Sequence, residues 1–237
     1  MMPFYFGASD RRLFGVYDAP TGAASTQGVL ICSPVGEEYF NAHRACRTLA
    51  RQLAAAGMHT LRFDYLGTGD SSGEMDRVSL DEWIEDIDRA VNELREMADL
   101  KTVGLVGLRV GATLAAAAAQ KGSDFTRIAL WDPIANPDEY LARLDPASFP
   151  SGFITDLGRL MAGAEKGPAS STLLVCTGSD PESHRPLATR LETTCTDFVF
   201  VHHDEYGAWE TGDGDFGSLP TPVLSLQTIT EWISVGR

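Results

Sequence analysis

Val106-Gly107-Leu108-Arg109-Val110-Gly111-Ala112 stands where one backbone pattern gives way to another. Upstream, Thr102–Val106 (TVGLV) is a short apolar run of strand length. Downstream, Ala112–Gln120 is alanine-rich, and alanine has the highest helix propensity. The two glycines bracket the joint at its first and fifth positions. A strand that turns straight into a helix crowds its own backbone, and glycine relieves that crowding. The central residue, Arg109, is then thrust above the strand end.

The same alternation runs along the chain on both sides of this joint. Gly28–Cys32 (GVLIC), Thr60–Asp64 (TLRFD), Arg127–Trp131, Thr172–Thr177 (TLLVCT) and Phe198–His202 (FVFVH) read as buried strands. His43–Ala56 places Ala45, Leu49, Leu53 and Ala56 at near-helical spacing, with Gly57 as a stop. Leu80–Met97 gathers Trp83, Ile84, Ile87, Val91 and Leu94 on one face, and Ser79 is placed to cap it. Val223–Val235 reads as a closing helix, and Tyr5–Tyr17 as antiparallel edge strands. Strands alternating with helices predict an α/β fold with a mainly parallel sheet covered on both faces. Asn136–Pro168 breaks the rhythm with four prolines and four glycines. A connection of this length predicts a lid insertion over 136–168, with short helices at Tyr140–Leu144 and Phe153–Met161.

Three stretches together resemble the α/β-hydrolase fold superfamily, in its serine-aminopeptidase-like branch. Gly107-Leu108-Arg109-Val110-Gly111 resembles the nucleophile elbow, G-x-S-x-G. Ser33-Pro34-Val35-Gly36-Glu37-Glu38 resembles the oxyanion loop. Phe63-Asp64-Tyr65-Leu66-Gly67-Thr68-Gly69-Asp70-Ser71-Ser72-Gly73 resembles the glycine-rich loop after the next strand. The "GEE" and "GLR" stretches are also similar to a group of exosortase-system-associated hydrolases. The likeness spans roughly residues 10 to 235. It implies one α/β-hydrolase domain over 1–237, with a short lid.

The chain departs from that pattern at the chemistry. The elbow's central residue is Arg109, whose guanidinium stays protonated and is no nucleophile. Asp180, in Thr177-Gly178-Ser179-Asp180-Pro181, matches the family's acid, one residue closer to the glycine than usual. The position matching the family's histidine holds Ala208 or Trp209, while His202 and His203 come earlier. A Ser-His-Asp relay therefore lacks its parts.

Each candidate has a functional and a structural reading. Arg109 either clamps an anion or pairs with Glu37, Glu38, Asp132 or Asp180. Glu37 and Glu38 either pair with Arg44 or Arg47, or one serves as a buried general base. One of His202 and His203 faces the core or solvent, and the other reaches the cavity rim. Cys32 reads as a buried, inert thiol. Asp64 and Tyr65 organise the Gly67–Gly73 turn. The expected catalytic set is Arg109, Glu38, Asp180 and His203. The expected substrate-binding set is Val35, Gly36, Glu37, Val110, Tyr206 and Trp209.

Composition limits the partners. The 237 residues carry a formal net charge of −14, which offers no field for nucleic acid or an anionic membrane surface. Hydrophobic residues make up 43% and charged residues 22%, which suits a packed globule. Four cysteines include no C-x-x-C pair, and no metal or cofactor motif is visible. No apolar run reaches membrane-spanning length, and MMPFYFGASDRR does not read as a signal peptide. A cytoplasmic location is the expectation; the oligomeric state is left open.

Three functions fit these residues. The first is an enzyme acting on a small acyl- or ester-containing metabolite without an acyl-enzyme: elimination, cyclisation or water-mediated cleavage, with Arg109 as anion clamp. The second is a catalytically inactive hydrolase-like binding or partner protein. The third is a serine esterase whose nucleophile lies elsewhere, at Ser33 or Ser71.

Overall fold

The computed structural model describes residues 1–23, 25–121, 125–143, 147, 149–162, 171–180, 182–210 and 220–234. Eight strands form one sheet: β1 Met2–Ala8, β2 Arg11–Asp18, β3 Gln27–Cys32, β4 His59–Phe63, β5 Thr102–Leu108, β6 Phe125–Trp131, β7 Ser171–Thr177 and β8 Asp197–His203. Their spatial order is β1-β2-β4-β3-β5-β6-β7-β8. β2 is antiparallel to both β1 and β4, and every later pairing is parallel. The architecture is the α/β-hydrolase fold.

Helices cover both faces. They are α1 Glu37–Ala55, α2 Leu80–Ala98, α3 Val110–Lys121, α4 Pro137–Arg143, α5 Phe153–Ala162, α6 Arg185–Thr194 and α7 Val223–Ser234. One core joins the sheet to α2 and α3 around Trp83, Ile87 and Leu114, and takes in Phe149 and Phe153 from the β6–β7 connection. The other joins it to α1 and α7 around Leu49, Trp131 and Ile229. The strand alternation reflects this two-sided burial. Val29, Leu30, Ile31 and Cys32 are all buried, though consecutive residues point to opposite faces.

Ser79 caps α2 as predicted, in a reciprocal capping box with Glu82. Two helices depart from the sequence reading. α1 starts at Glu37, six residues before His43, so Glu37 and Glu38 form its first turn rather than an irregular loop. Gly36, at φ 63°, makes that entry without any side-chain cap, which is why no capping signal marked it. α6 is only ten residues long, carries Pro186 in its first turn and has no capping side chain, and the sequence reading does not include it. Within the 136–168 segment expected to form a lid, α4 and α5 are helical; 144–146, 148 and 163–168 lie outside the described residues.

Candidate functional site

The joint between β5 and α3 is a single residue. Arg109 takes φ 56°, a left-handed conformation costing a non-glycine residue about 1–3 kcal/mol. Both glycines are fixed by close approach. A Cβ on Gly107 would fall 2.4 Å from the Gly111 carbonyl oxygen, and one on Gly111 would fall 2.2 Å from that of Cys32. The Arg109 amide donates to the Trp131 carbonyl at 3.1 Å, tying the joint to β6. Its side chain is raised over the strand ends, yet only 8% of the residue is exposed.

Four groups surround the guanidinium. Nε donates to Glu38 Oε1 at 3.0 Å, and Nη1 donates to the Asp132 carbonyl at 3.1 Å. The Trp209 ring lies beneath it, 3.8 Å from centroid to Cζ, and the Tyr140 ring of α4 stands at 5.5 Å. Asn41 of α1 holds the Trp209 loop by donating to the Trp209 carbonyl at 3.2 Å. Glu38 thus reaches Arg109 because α1 begins early enough to aim its first turn at the elbow.

Asp132 follows β6 with φ 42° and is 1% exposed. Its carboxylate accepts the Thr177 amide and hydroxyl, each at 2.7 Å, and Trp209 Nε1 at 3.2 Å. Burial raises its carboxyl above the ordinary value, against the pull of the Thr177 hydrogen bonds and the Arg109 charge. Arg109, Trp209 and Asp132 therefore form a relay in outline. An elbow side chain touches an aromatic ring, whose N–H is fixed by a buried carboxylate. A serine hydrolase arranges nucleophile, histidine and acid in that order.

The remaining expected residues are not among the four groups around the guanidinium. Asp180 is exposed and closes its own turn, accepting the Glu182 amide at 3.0 Å. His203 faces α7, where Nε2 meets Thr228 Oγ1 at 2.9 Å. Val35 and Val110 are buried in the core, Gly36 is the N-cap of α1, and Glu37 is exposed in its first turn. Tyr206 is 59% exposed. So the structure brings together Arg109, Glu38 and Trp209, while Asp180 and His203 are hydrogen-bonded to other groups.

Two residues near the site were not singled out by the sequence. Tyr140 is buried against Arg109, and its hydroxyl has no hydrogen-bond partner among the described residues. His184, the N-cap of α6, donates from Nε2 to the Pro133 carbonyl at 2.8 Å, one residue beyond Asp132. Neither carries a motif; only the fold puts them there.

Other nucleophiles are accounted for locally. Burial pushes the Cys32 thiol up to about 12 and that of Cys46 up to about 11, so neither supplies thiolate near neutral pH. The Ser71 hydroxyl donates to the Asp64 carbonyl at 2.6 Å and accepts the Phe14 amide at 2.8 Å, fixing the glycine-rich turn. Ser33 lines a small cavity of about 100 Å³ with Tyr39, His43 and Asp64. There Tyr39 donates its hydroxyl proton to Asp64 at 2.8 Å. Among the described residues no group of three or more His, Cys, Asp or Glu is placed to hold a metal ion. No helix among them is long and apolar enough to cross a membrane.

Residues 27–169 match the family model described as serine aminopeptidase, S33. The chain belongs to that family. The serine aminopeptidase fold recurs in solved structures at low identity. Est1E from Butyrivibrio proteoclasticus, solved with ferulic acid bound, is 14% identical; 97% of each chain is covered, with a TM-score of 0.73. An alpha-beta serine hydrolase homologue from Coxiella burnetii is 16% identical over 98% of this chain and 95% of its own, with a TM-score of 0.66. A serine hydrolase without a lid from Xanthomonas campestris is 19% identical over 88% and 86%, with a TM-score of 0.61. These likenesses concern the fold. Among curated proteins no relative matches the sequence.

Proposed function

We propose that this chain is a non-hydrolytic member of the serine aminopeptidase family, one that binds an acyl-type molecule rather than cleaving it. One observation carries the reading: Trp209 Nε1 donates to Asp132 while Arg109 stacks on the same indole. The indole N–H only donates, and the guanidinium stays protonated. Neither takes up a proton at neutral pH, so the places of nucleophile and histidine hold no nucleophile and no general base. The Arg109 charge is already met by Glu38 at 3.0 Å. This favours the second of the three functions over an anion clamp, which needs the cation open to substrate.

A serine-directed fluorophosphonate, with p-nitrophenyl butyrate as substrate, tests the reading. The expected result is no stoichiometric labelling and no ester release above buffer. The double variant Arg109→Ser/Trp209→His supplies a nucleophile and a base beside Asp132, and is expected to gain labelling. Stoichiometric labelling of the natural protein would overturn the reading, and peptide mapping to Ser33 or Ser71 would place the nucleophile. Ester turnover without labelling, abolished by Arg109→Ala, would overturn it in favour of clamp-assisted chemistry.

A further inference from the structure

A cavity of about 380 Å³ lies between α3, α5 and α6, behind the Arg109–Trp209–Asp132 group. We infer that it is a binding site for an aliphatic monocarboxylate, with Arg190 holding the carboxylate and the chain lying along α3. The inference rests on the non-hydrolytic reading only in expecting bound acyl compounds to stay intact.

The walls explain the aliphatic part. Ala116 and Ala117 of α3 face Leu187 and Leu191 of α6, and Ile134 and Leu160 also line the space. The alanines are what leaves the room: longer side chains there would fill it. The volume lies within the range of ordinary small-molecule sites, about 300–1,000 Å³. Its inner end is formed by Ala112, in the first turn of α3, and by Pro133, next to Asp132; its outer end includes Gln120. From Ala112 to Gln120 the helix advances roughly 12 Å at its usual rise, which suits a slender chain of medium length.

The charge explains the head group. Two arginines line the cavity. Arg159 is exposed and already paired, with Asp156 at 3.1 Å and Asp81 at 3.9 Å. Arg190 is half-buried, lines the cavity and has no carboxylate partner among the described residues. A half-buried guanidinium beside apolar walls is left without a counter-charge. A carboxylate in the cavity would meet the charge of Arg190 at its terminal nitrogens, which arginine presents in a fixed fork.

Calorimetric titration with butyrate, hexanoate and octanoate, and with octanol as the uncharged control, tests the assignment. Affinity is expected to rise about three- to fourfold per added methylene, following apolar burial. Octanol is expected to bind more weakly than octanoate. Arg190→Gln is expected to weaken octanoate at least tenfold and leave octanol unchanged. Ala116→Leu, checked for folding by its melting curve, is expected to weaken both by filling the cavity. Equal affinity for octanoate and octanol, no detectable octanoate binding, or binding unmoved by Arg190→Gln and Ala116→Leu would each overturn the inference. Release of p-nitrophenol from p-nitrophenyl octanoate is read separately. Its appearance would overturn the non-hydrolytic reading while leaving the cavity assignment to stand or fall on the titrations.

Discussion

Arg109 is held at a backbone angle that few residues of its size adopt, so its surroundings must offset that strain. Its ion pair with Glu38 is largely shielded, the two side chains being 9% and 17% exposed. Arg109→Met removes the guanidinium from a shielded carboxylate. The expected destabilisation is about 3 kcal/mol, at the low end for a broken buried pair because Glu38 keeps some water contact. Glu38→Gln added to Arg109→Met is expected to recover part of that loss, and urea unfolding of the four-member cycle measures the coupling. Simple additivity would show that the pair contributes nothing specific. Asp132 makes a pH prediction at the same scale. Burial raises its carboxyl above the ordinary 3.8, so the folded state keeps a proton that the unfolded chain has lost. That contribution is full below the ordinary value and declines as pH rises through the raised one. The stability of the natural protein relative to Asp132→Asn should therefore fall from about pH 4 upward and then level off. A flat difference across that window would refute the raised value.

At the scale of elements, the site depends on α4 docking onto the β5–α3 joint. Tyr140 brings α4 to Arg109 through its ring, while its buried hydroxyl has no partner among the described residues. Tyr140→Phe keeps the ring and removes the unsatisfied group. It is expected to leave stability unchanged or raise it by up to about 1 kcal/mol, a sign opposite to most buried truncations. A loss of more than that would mean the hydroxyl has an acceptor in solution. The joint itself tolerates less. Gly111→Ala forces a methyl against the Cys32 carbonyl, and a melting curve should show a loss of more than about 3 kcal/mol, beyond typical overpacking. These two elements also show what the sequence could reveal. The glycine bracket was legible because backbone contact allows only one residue type at Gly107 and Gly111. The start of α1 was not, because Gly36 turns the chain without a capping side chain. Trp209 is legible as a match to the family's histidine position and as an aromatic, but not as a partner of Asp132. Its contact with Asp132 joins residues 77 apart in sequence, and no local spacing records that. Tyr140 and His184 were missed for the same reason: their roles exist only once α4 and α6 have packed.

For the whole molecule, the strand–helix alternation was enough to imply the sheet, since each buried parallel strand must be followed by a crossover long enough to hold a helix. The net charge of −14 has a separate consequence for that sheet's stability. Several ion pairs, including Arg77 with Asp76, Arg89 with Glu85 and Arg185 with Glu182, are substantially exposed and each contributes about 0–1 kcal/mol at most. Salt screens these attractions, but it also screens repulsion among the excess carboxylates, which acts over the whole surface. The Arg109–Glu38 pair is shielded and responds weakly. Repulsion should dominate the balance, because unpaired carboxylates outnumber what the exposed pairs can offset. Raising sodium chloride from about 0.01 to 0.15 M shortens the screening length from about 30 to about 8 Å. The melting temperature is therefore expected to rise, by about 2–4 °C for each kcal/mol of repulsion relieved in a chain of this size. Potassium chloride at equal ionic strength should give the same shift, since screening does not distinguish the two cations. A melting temperature that falls with either salt would show that the exposed pairs, rather than the excess charge, govern the folded state.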